Sequence, residues 1–187
     1  MISTKLRAVI FDRDGTLIEH VHYLCDPEEV RLLDGVKDGI RLLKQTGLKL
    51  FLHSNQSGVG RNFFSLEQVY ACNHRMEELL DLDTPIFERI CLATEKPDDP
   101  ILYRKPSPKF AFEIMRDFNL KASEICYVGD RFSDLQVALT IGGSAVGVNT
   151  GLVDLKAEVA KIEELSKFKL VDNFRAVVDY LIISQND

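Results

Sequence analysis

Much of what would place this chain in a functional class is missing from it. The sequence has no Cys-x-x-Cys pair, no run of lysines and arginines, and no apolar stretch near the ~20 residues of a bilayer-spanning helix. The cysteines, Cys25, Cys72, Cys91 and Cys126, lie far apart, which excludes a disulfide framework or a zinc knuckle and reads as free thiols in a reducing compartment. Met1 to Ile10 lacks the apolar core of a signal peptide, so a cytoplasmic protein without a membrane partner is expected. Acids outnumber bases, 29 to 23, for a net charge of −6, the wrong balance for gripping a phosphate backbone; no nucleic-acid partner is expected. Repeats, low-complexity segments and composition breaks are also absent, so residues 1–187 read as one domain, expected to act as a monomer.

What is present is an alternation of short apolar runs and amphipathic stretches, the pattern of β/α units wound around a parallel sheet. Ala8-Val9-Ile10-Phe11 is too short for a helix and ends abruptly in charge, which makes it a buried strand. Val36, Ile40 and Leu43 recur at helical spacing, with Gly47 as the stop, and Leu48 to Leu52 follows as a strand. Ser65 with Gln68 has the form of a capping box ahead of a helix carrying Leu66, Val69, Met76 and Leu80. Arg89 to Ala93 reads as a strand, and Ser107-Pro108 as N-cap and first residue of a helix bearing Phe110, Ile114 and Phe118. Ile125 to Val128 and Ser144 to Val148 are strands, Phe132 to Ile141 a helix, and a last helix runs from about Phe174 to Ile183. Between them, residues 152–170 are assigned only a helix and a final strand. The expected class is α/β, a parallel sheet with helices on both faces.

Polar clusters gather where such a sheet binds ligands, beyond the C-terminal ends of strands. Asp12 and Asp14 stand two residues apart straight after the first strand and would repel each other unless a cation or a proton lies between them. Gly15-Thr16 then allows a sharp turn that leaves N–H groups facing the same space. Magnesium, which takes one or two carboxylates plus substrate phosphate and water, is the natural partner, and Asp130 can supply a second carboxylate. Two acids so spaced are often merely solvated, and Asp130 could equally be the N-cap of the helix from Phe132, or serve in both ways. Ser54 and Asn55, read as following the second strand at a helix or loop N-terminus, suit phosphate oxygens. Lys105, between Arg104 and Pro106, offers a cation on a stiffened segment. Asp134 reads as a supporting residue one turn into its helix, His53 as a core residue or one that supports the site from behind, and His20 and His22 as conceivable substrate contacts.

Together, Asp12-Arg13-Asp14-Gly15-Thr16, Ser54, Lys105 and Gly129-Asp130 resemble the four motifs of the haloacid dehalogenase superfamily, in the same order. The stretches FDRDGTLIE, LLDGVKDGIRLLKQTG, SNQSGVGR, RKPSP and VGDRFSDLQVA resemble the D-glycero-D-manno-heptose 1,7-bisphosphate phosphatases and the related histidinol-phosphate phosphatases, over residues 8–151. The resemblance implies a Rossmann-like sheet with the motifs along its C-terminal edge. It implies a magnesium-dependent phosphomonoester hydrolase acting on a small phosphorylated sugar, with the C7 phosphate of the heptose bisphosphate as the group removed. Asp12 would be the nucleophile, forming an aspartyl-phosphate, and Asp14 the general acid and base. Asp12, the Asp14 carbonyl and Asp130 would hold magnesium, Ser54 and Lys105 the transferring phosphoryl group, and Asn55 and Arg104 would reach the substrate.

The sequence departs from that family in one respect. Many members hold a structural zinc through a Cys-x-His and a Cys-x-Cys ahead of the Arg-Lys-Pro motif, whereas Cys91 to Arg104 reads CLATEKPDDPILYR, so zinc is not expected. No insertion after the first two motifs is long enough for a separate cap domain, which leaves selectivity to loops 20–26, 58–64 and 94–104. Histidinol phosphate is the competing substrate. A phospho-receiver domain shares an Asp, magnesium, a hydroxyl and a Lys, but carries its Asp after a later strand. A catalytically idle scaffold is the third alternative, opposed by the complete set of motif residues.

Overall fold

The computed structural model describes residues 5–186. In chain order the elements are β1 (Ala8–Phe11), α1 (Val36–Gln45), β2 (Lys49–Asn55), α2 (Ser57–Gly60), α3 (Leu66–Leu80), β3 (Arg89–Ala93), α4 (Lys109–Asp117), β4 (Ile125–Gly129), α5 (Phe132–Ile141), β5 (Ser144–Val148), α6 (Leu155–Val159), β6 (Lys169–Val171) and α7 (Phe174–Asn186). The strands form one sheet in the order β3-β2-β1-β4-β5-β6, with every pairing parallel. The chain therefore winds outward from β1 in one direction and then in the other, the Rossmann-like topology expected. No helix of the described residues is long and apolar enough to cross a membrane.

The central strands are apolar throughout because both faces are covered. Alternate residues feed two separate cores. Val9, Phe11, Leu50, Leu52, Cys126 and Val128 pack on one face with α1, α3 and α7, while Ala8, Ile10, Phe51, Ile125 and Tyr127 pack on the other with α4 and α5. Between β1 and α1, residues 12–35 form a long connection with one short 3-10 turn at Pro27–Glu29, and no cap domain intervenes there or after β2.

Several boundaries differ from expectation, each for a local reason. β2 continues to Asn55 rather than stopping at Leu52, because Ser54 and Asn55 pair with Leu92 and Ala93 of β3. Ser54 and Asn55 are thus strand residues, not the opening of a helix or loop; polar side chains ended the apolar pattern without ending the ladder. Asp130 is not the N-cap of α5: that position is Arg131, whose N–H donates to the Asp134 carboxylate at 3.1 Å. α4 starts at Lys109, one residue later than expected, with Ser107 Oγ accepting from the Lys109 N–H at 3.3 Å. The capping box at Ser65 and Gln68 is present as read.

Candidate active site

The strand order reverses at β1, and the two acids that leave β1 and β4 meet at that point. The Asp12 N–H still donates to the Val128 carbonyl at 2.8 Å, so its carboxylate is fixed from a backbone that has barely left the sheet. Gly15 turns with φ of 82°, and a Cβ there would lie 2.6 Å from Asp130 Oδ2. A Cβ on Gly151 would come closer still to the same oxygen. Two glycines thus let two stretches of backbone close over the Asp130 carboxylate. Thr150 Oγ1, donating to the Gly15 carbonyl at 2.6 Å, ties the two stretches together.

Asp12, Asp130 and Asp134 are all buried, and a carboxylate oxygen from each lies within 4.8 Å of the other two. Lys105 Nζ reaches Asp12 Oδ1 at 2.7 Å and Asp134 Oδ1 at 2.6 Å. Burial alone would lower the lysine's pKa, but the two carboxylates outweigh it and hold the pKa above the usual value. Asp130 has no such partner: neither of its oxygens has a hydrogen bond, and the nearest cation is Arg131 Nε, 3.4 Å from Oδ2. Burial, then the charges of Asp12 and Asp134, push the Asp130 carboxyl well above the usual range; Asp134 rises less because Lys105 opposes the same burial. Buried, unpartnered carboxylate oxygens beside a second carboxylate are a hard donor set that fits magnesium. With Asp134 committed to Lys105, Asp12 and Asp130 are the side chains available to such an ion.

Asp14 points into a different set of bonds. Arg13 grips it from both sides, Nε to Oδ2 and Nη2 to Oδ1, each at 3.1 Å, and anchors its own Nη1 on Asn73 Oδ1 of α3 at 2.7 Å. Gln56 Nε2 adds a bond to Oδ2 at 2.9 Å, and Ser54 Oγ a longer one at 3.4 Å. Oδ2 therefore has three donors and Oδ1 only Arg13. The Ser54 hydroxyl itself accepts from Gln56 Nε2 at 2.7 Å. Asn73 carried no signal in the sequence, and Arg13 and Gln56, though within the polar clusters, were given no role. The one signal was a basic residue flanked by two acids; its near-complete burial, at 1% exposure, is what marks Arg13 as structural machinery.

Asn55 spends its amide on the backbone of Lys105, accepting from the N–H at 2.9 Å and donating to the carbonyl at 3.3 Å. His53, fully buried in β2, has its pKa driven down to about 3, first by burial and then by the Lys105 charge. It is a neutral ring whose Nε2–H donates to the Tyr103 carbonyl at 2.8 Å, leaving Nδ1 to accept from Tyr127 Oη at 3.2 Å. As expected from its position, it is a core residue.

These groups open onto a cleft of about 500 Å³, lined among others by Asp12, Asp14, Asn55, Arg104, Lys105 and Arg131. That size suits a small ligand. Ser57 and Glu158, neither of them singled out from sequence, also line it. His20 is on its wall with Nδ1 buried and unpartnered, and burial lowers its pKa. His22 instead packs on the Tyr23 ring, 4.3 Å between centroids, in an adjoining recess. Cys91, on β3, has its thiol pushed up to about 12 by burial.

Comparison with known proteins gives a consistent result. A family model described as polynucleotide kinase 3 phosphatase matches residues 7–140. The D-glycero-D-manno-heptose-1,7-bisphosphate 7-phosphatase of Thermosynechococcus vestitus is 29% identical over 93% of this chain and 94% of its own. The D-glycero-beta-D-manno-heptose-1,7-bisphosphate 7-phosphatase of Haemophilus ducreyi is 32% identical over 89% of this chain and 95% of its own. Among solved structures, the D,D-heptose 1,7-bisphosphate phosphatase of B. bronchiseptica, complexed with magnesium and phosphate, superposes with a TM-score of 0.85. It is 26% identical, covering 95% of this chain and 99% of that one.

Proposed function

The chain belongs to the polynucleotide kinase 3 phosphatase family and is a phosphatase of haloacid dehalogenase type, and from that premise we propose that it removes the C7 phosphate of D-glycero-D-manno-heptose 1,7-bisphosphate with magnesium as cofactor. The observation that carries the chemistry is a buried Asp12 held on one oxygen by Lys105, beside an Asp130 whose oxygens have no hydrogen bond. The substrate rests on relatives that match about nine-tenths of this chain and are named for that reaction. A polynucleotide substrate is disfavoured by the net charge of −6 and the absence of a basic stripe. The reading takes the protein to be a single cytoplasmic domain acting as a monomer. It also takes it to be free of zinc, since residues 91–104 offer one cysteine and no histidine.

In this reading the Asp12 oxygen not held by Lys105 attacks phosphorus, the bond from phosphorus to the sugar oxygen breaks, and an aspartyl-phosphate forms. Asp14 gives a proton to the departing sugar oxygen. Its Oδ1, with Arg13 as sole partner, is the oxygen freest to carry that proton. Asp14 then takes a proton from the water that attacks phosphorus, which frees Asp12 and releases phosphate. Lys105 offsets charge on the transferring group, Arg104 on the cleft wall is the cation for the rest of the substrate, and Asn55, its amide spent on Lys105, acts by holding that lysine's backbone. Ser54, buried with its hydroxyl between Gln56 and Asp14, serves the transferring phosphoryl group in this reading. Magnesium, when held by Asp12, Asp130 and the Asp14 carbonyl, supplies positive charge to the phosphoryl oxygens.

The test is phosphate release from both anomers of heptose 1,7-bisphosphate, from histidinol phosphate and from hexose bisphosphates, with magnesium and with EDTA. Magnesium-dependent release concentrated on C7 of one heptose anomer is the expected result. Preference for histidinol phosphate, or equal feeble release from all, would overturn the substrate while leaving the chemistry.

A further inference from the structure

Arg104 and Lys105 are neighbours in the chain, both line the cleft, and they are held by unrelated devices. Lys105 is fixed by Asn55 on its backbone and by Asp12 and Asp134 on its ammonium. Arg104 has a guanidinium with no ion-pair partner among the described residues, so its aim depends on its backbone alone. The Arg104 carbonyl accepts the Ser107 N–H at 2.9 Å, and its N–H side is held by Glu95. A single oxygen, Glu95 Oε1, accepts the Arg104 N–H at 3.0 Å, the Leu102 N–H at 3.1 Å and the N–H of Tyr103 between them.

Three consecutive N–H groups converging on one carboxylate oxygen close the segment between Glu95 and Arg104 into a loop. Burial opposes the charge on Glu95, but its own backbone N–H and then the three loop N–H groups outweigh it and bring its pKa below the usual value. Elsewhere the loop is secured by the His53 ring on the Tyr103 carbonyl, by Ser107 Oγ donating to the Leu102 carbonyl at 2.7 Å, and by Asp99 accepting the Lys96 N–H at 2.9 Å. None of these touches Arg104's own N–H. A guanidinium is a rigid fork suited to a second phosphate or another anion, and its worth depends on where it stands.

We infer that Glu95 is a positioning residue for Arg104: its carboxylate gathers the amides of residues 102–104 and so sets where the unpaired guanidinium meets an anionic group of the substrate remote from the transferring phosphate. Lys105, held separately, keeps its place without it. This deepens the proposed sugar-bisphosphate reading and rests on it.

Two measurements on Glu95→Ala, Glu95→Gln and Arg104→Ala test the assignment. In hydrogen exchange, Glu95→Ala strips protection from the amides of residues 102–104 and spares that of Lys105, whose N–H goes to Asn55. In kinetics, Glu95→Ala raises KM rather than lowering kcat. It weakens kcat/KM for heptose 1,7-bisphosphate about tenfold more than for 4-nitrophenyl phosphate, which has no second anion. Glu95→Gln, retaining an acceptor oxygen, recovers part of the loss, and adding Glu95→Ala to Arg104→Ala costs nothing further. Equal losses on both substrates, additive losses with Arg104→Ala, or unchanged exchange would each overturn it. If the unaltered protein hydrolyses the aryl ester but ignores the bisphosphate, the substrate reading fails, and the exchange pattern alone decides for or against Glu95.

Discussion

At the ends of β1 and β4, Asp12, Asp130 and Asp134 crowd three buried carboxylates near one lysine and leave both Asp130 oxygens without a hydrogen bond. Across the same cleft, the segment leading into α4 is closed by Glu95, tied to β2 through His53 and Asn55, and has its backbone groups engaged. The first region has a donor set that could hold a metal ion; the second is closed by its own hydrogen bonds. The difference separates two jobs. A site that must bind a charged cofactor and develop charge in the transition state leaves donors unsatisfied, whereas the loop that aims Lys105 and Arg104 is prepared before any ligand arrives.

The largest effect comes from removing the charge the first region is built around. Asp12→Asn lowers kcat by at least about 10⁴-fold while circular dichroism stays that of a folded protein; residual turnover within a hundredfold would refute the nucleophile assignment. Next is the pH response of the magnesium-free protein. Asp130 and Asp134 have raised pKa values when folded, so the folded state binds protons that the unfolded chain has released. Stability then falls as pH rises above the ordinary carboxylate range, by roughly 3 kcal/mol toward pH 8, in urea titrations with EDTA. Magnesium removes this slope, and Asp130→Asn flattens it while abolishing the stabilisation by magnesium.

The second region carries the opposite sign. The folded pKa of His53 is about 3, so the unfolded chain takes up a proton first, and stability is lost as pH falls from about 6.5 toward 3. The loss is about 2 kcal/mol by pH 5, and His53→Gln removes that slope without touching the alkaline one. Smallest is Asn55→Ala, which frees the Lys105 backbone: kcat falls about tenfold and stability by about 1 kcal/mol, with magnesium affinity by calorimetry unchanged.

The two regions were also unequally legible in the sequence. Asp12, Asp14 and Asp130 stand where apolar runs stop, and a charge directly after a buried strand is visible without a structure. α5 and β5 lie where the pattern placed them, because full burial makes the pattern unambiguous. What could not be read depends on partners distant in the chain. Arg13 meets Asn73 and Asn55 meets Lys105 only once α3 and the loop before α4 have packed. Glu95 looks like any surface acid until three amides turn toward it. Asp134 lies in the first turn of α5 as read, and its ion pair with Lys105 was not foreseen.

The most direct test of the central claim is to quench the magnesium-loaded enzyme during turnover, reduce it with borohydride and map the peptides. An aspartyl-phosphate at the proposed position is converted to homoserine at residue 12, only in the presence of both substrate and magnesium. Homoserine at Asp14 or Asp130 instead, or full turnover with no reducible acyl-phosphate on the protein, would contradict the account.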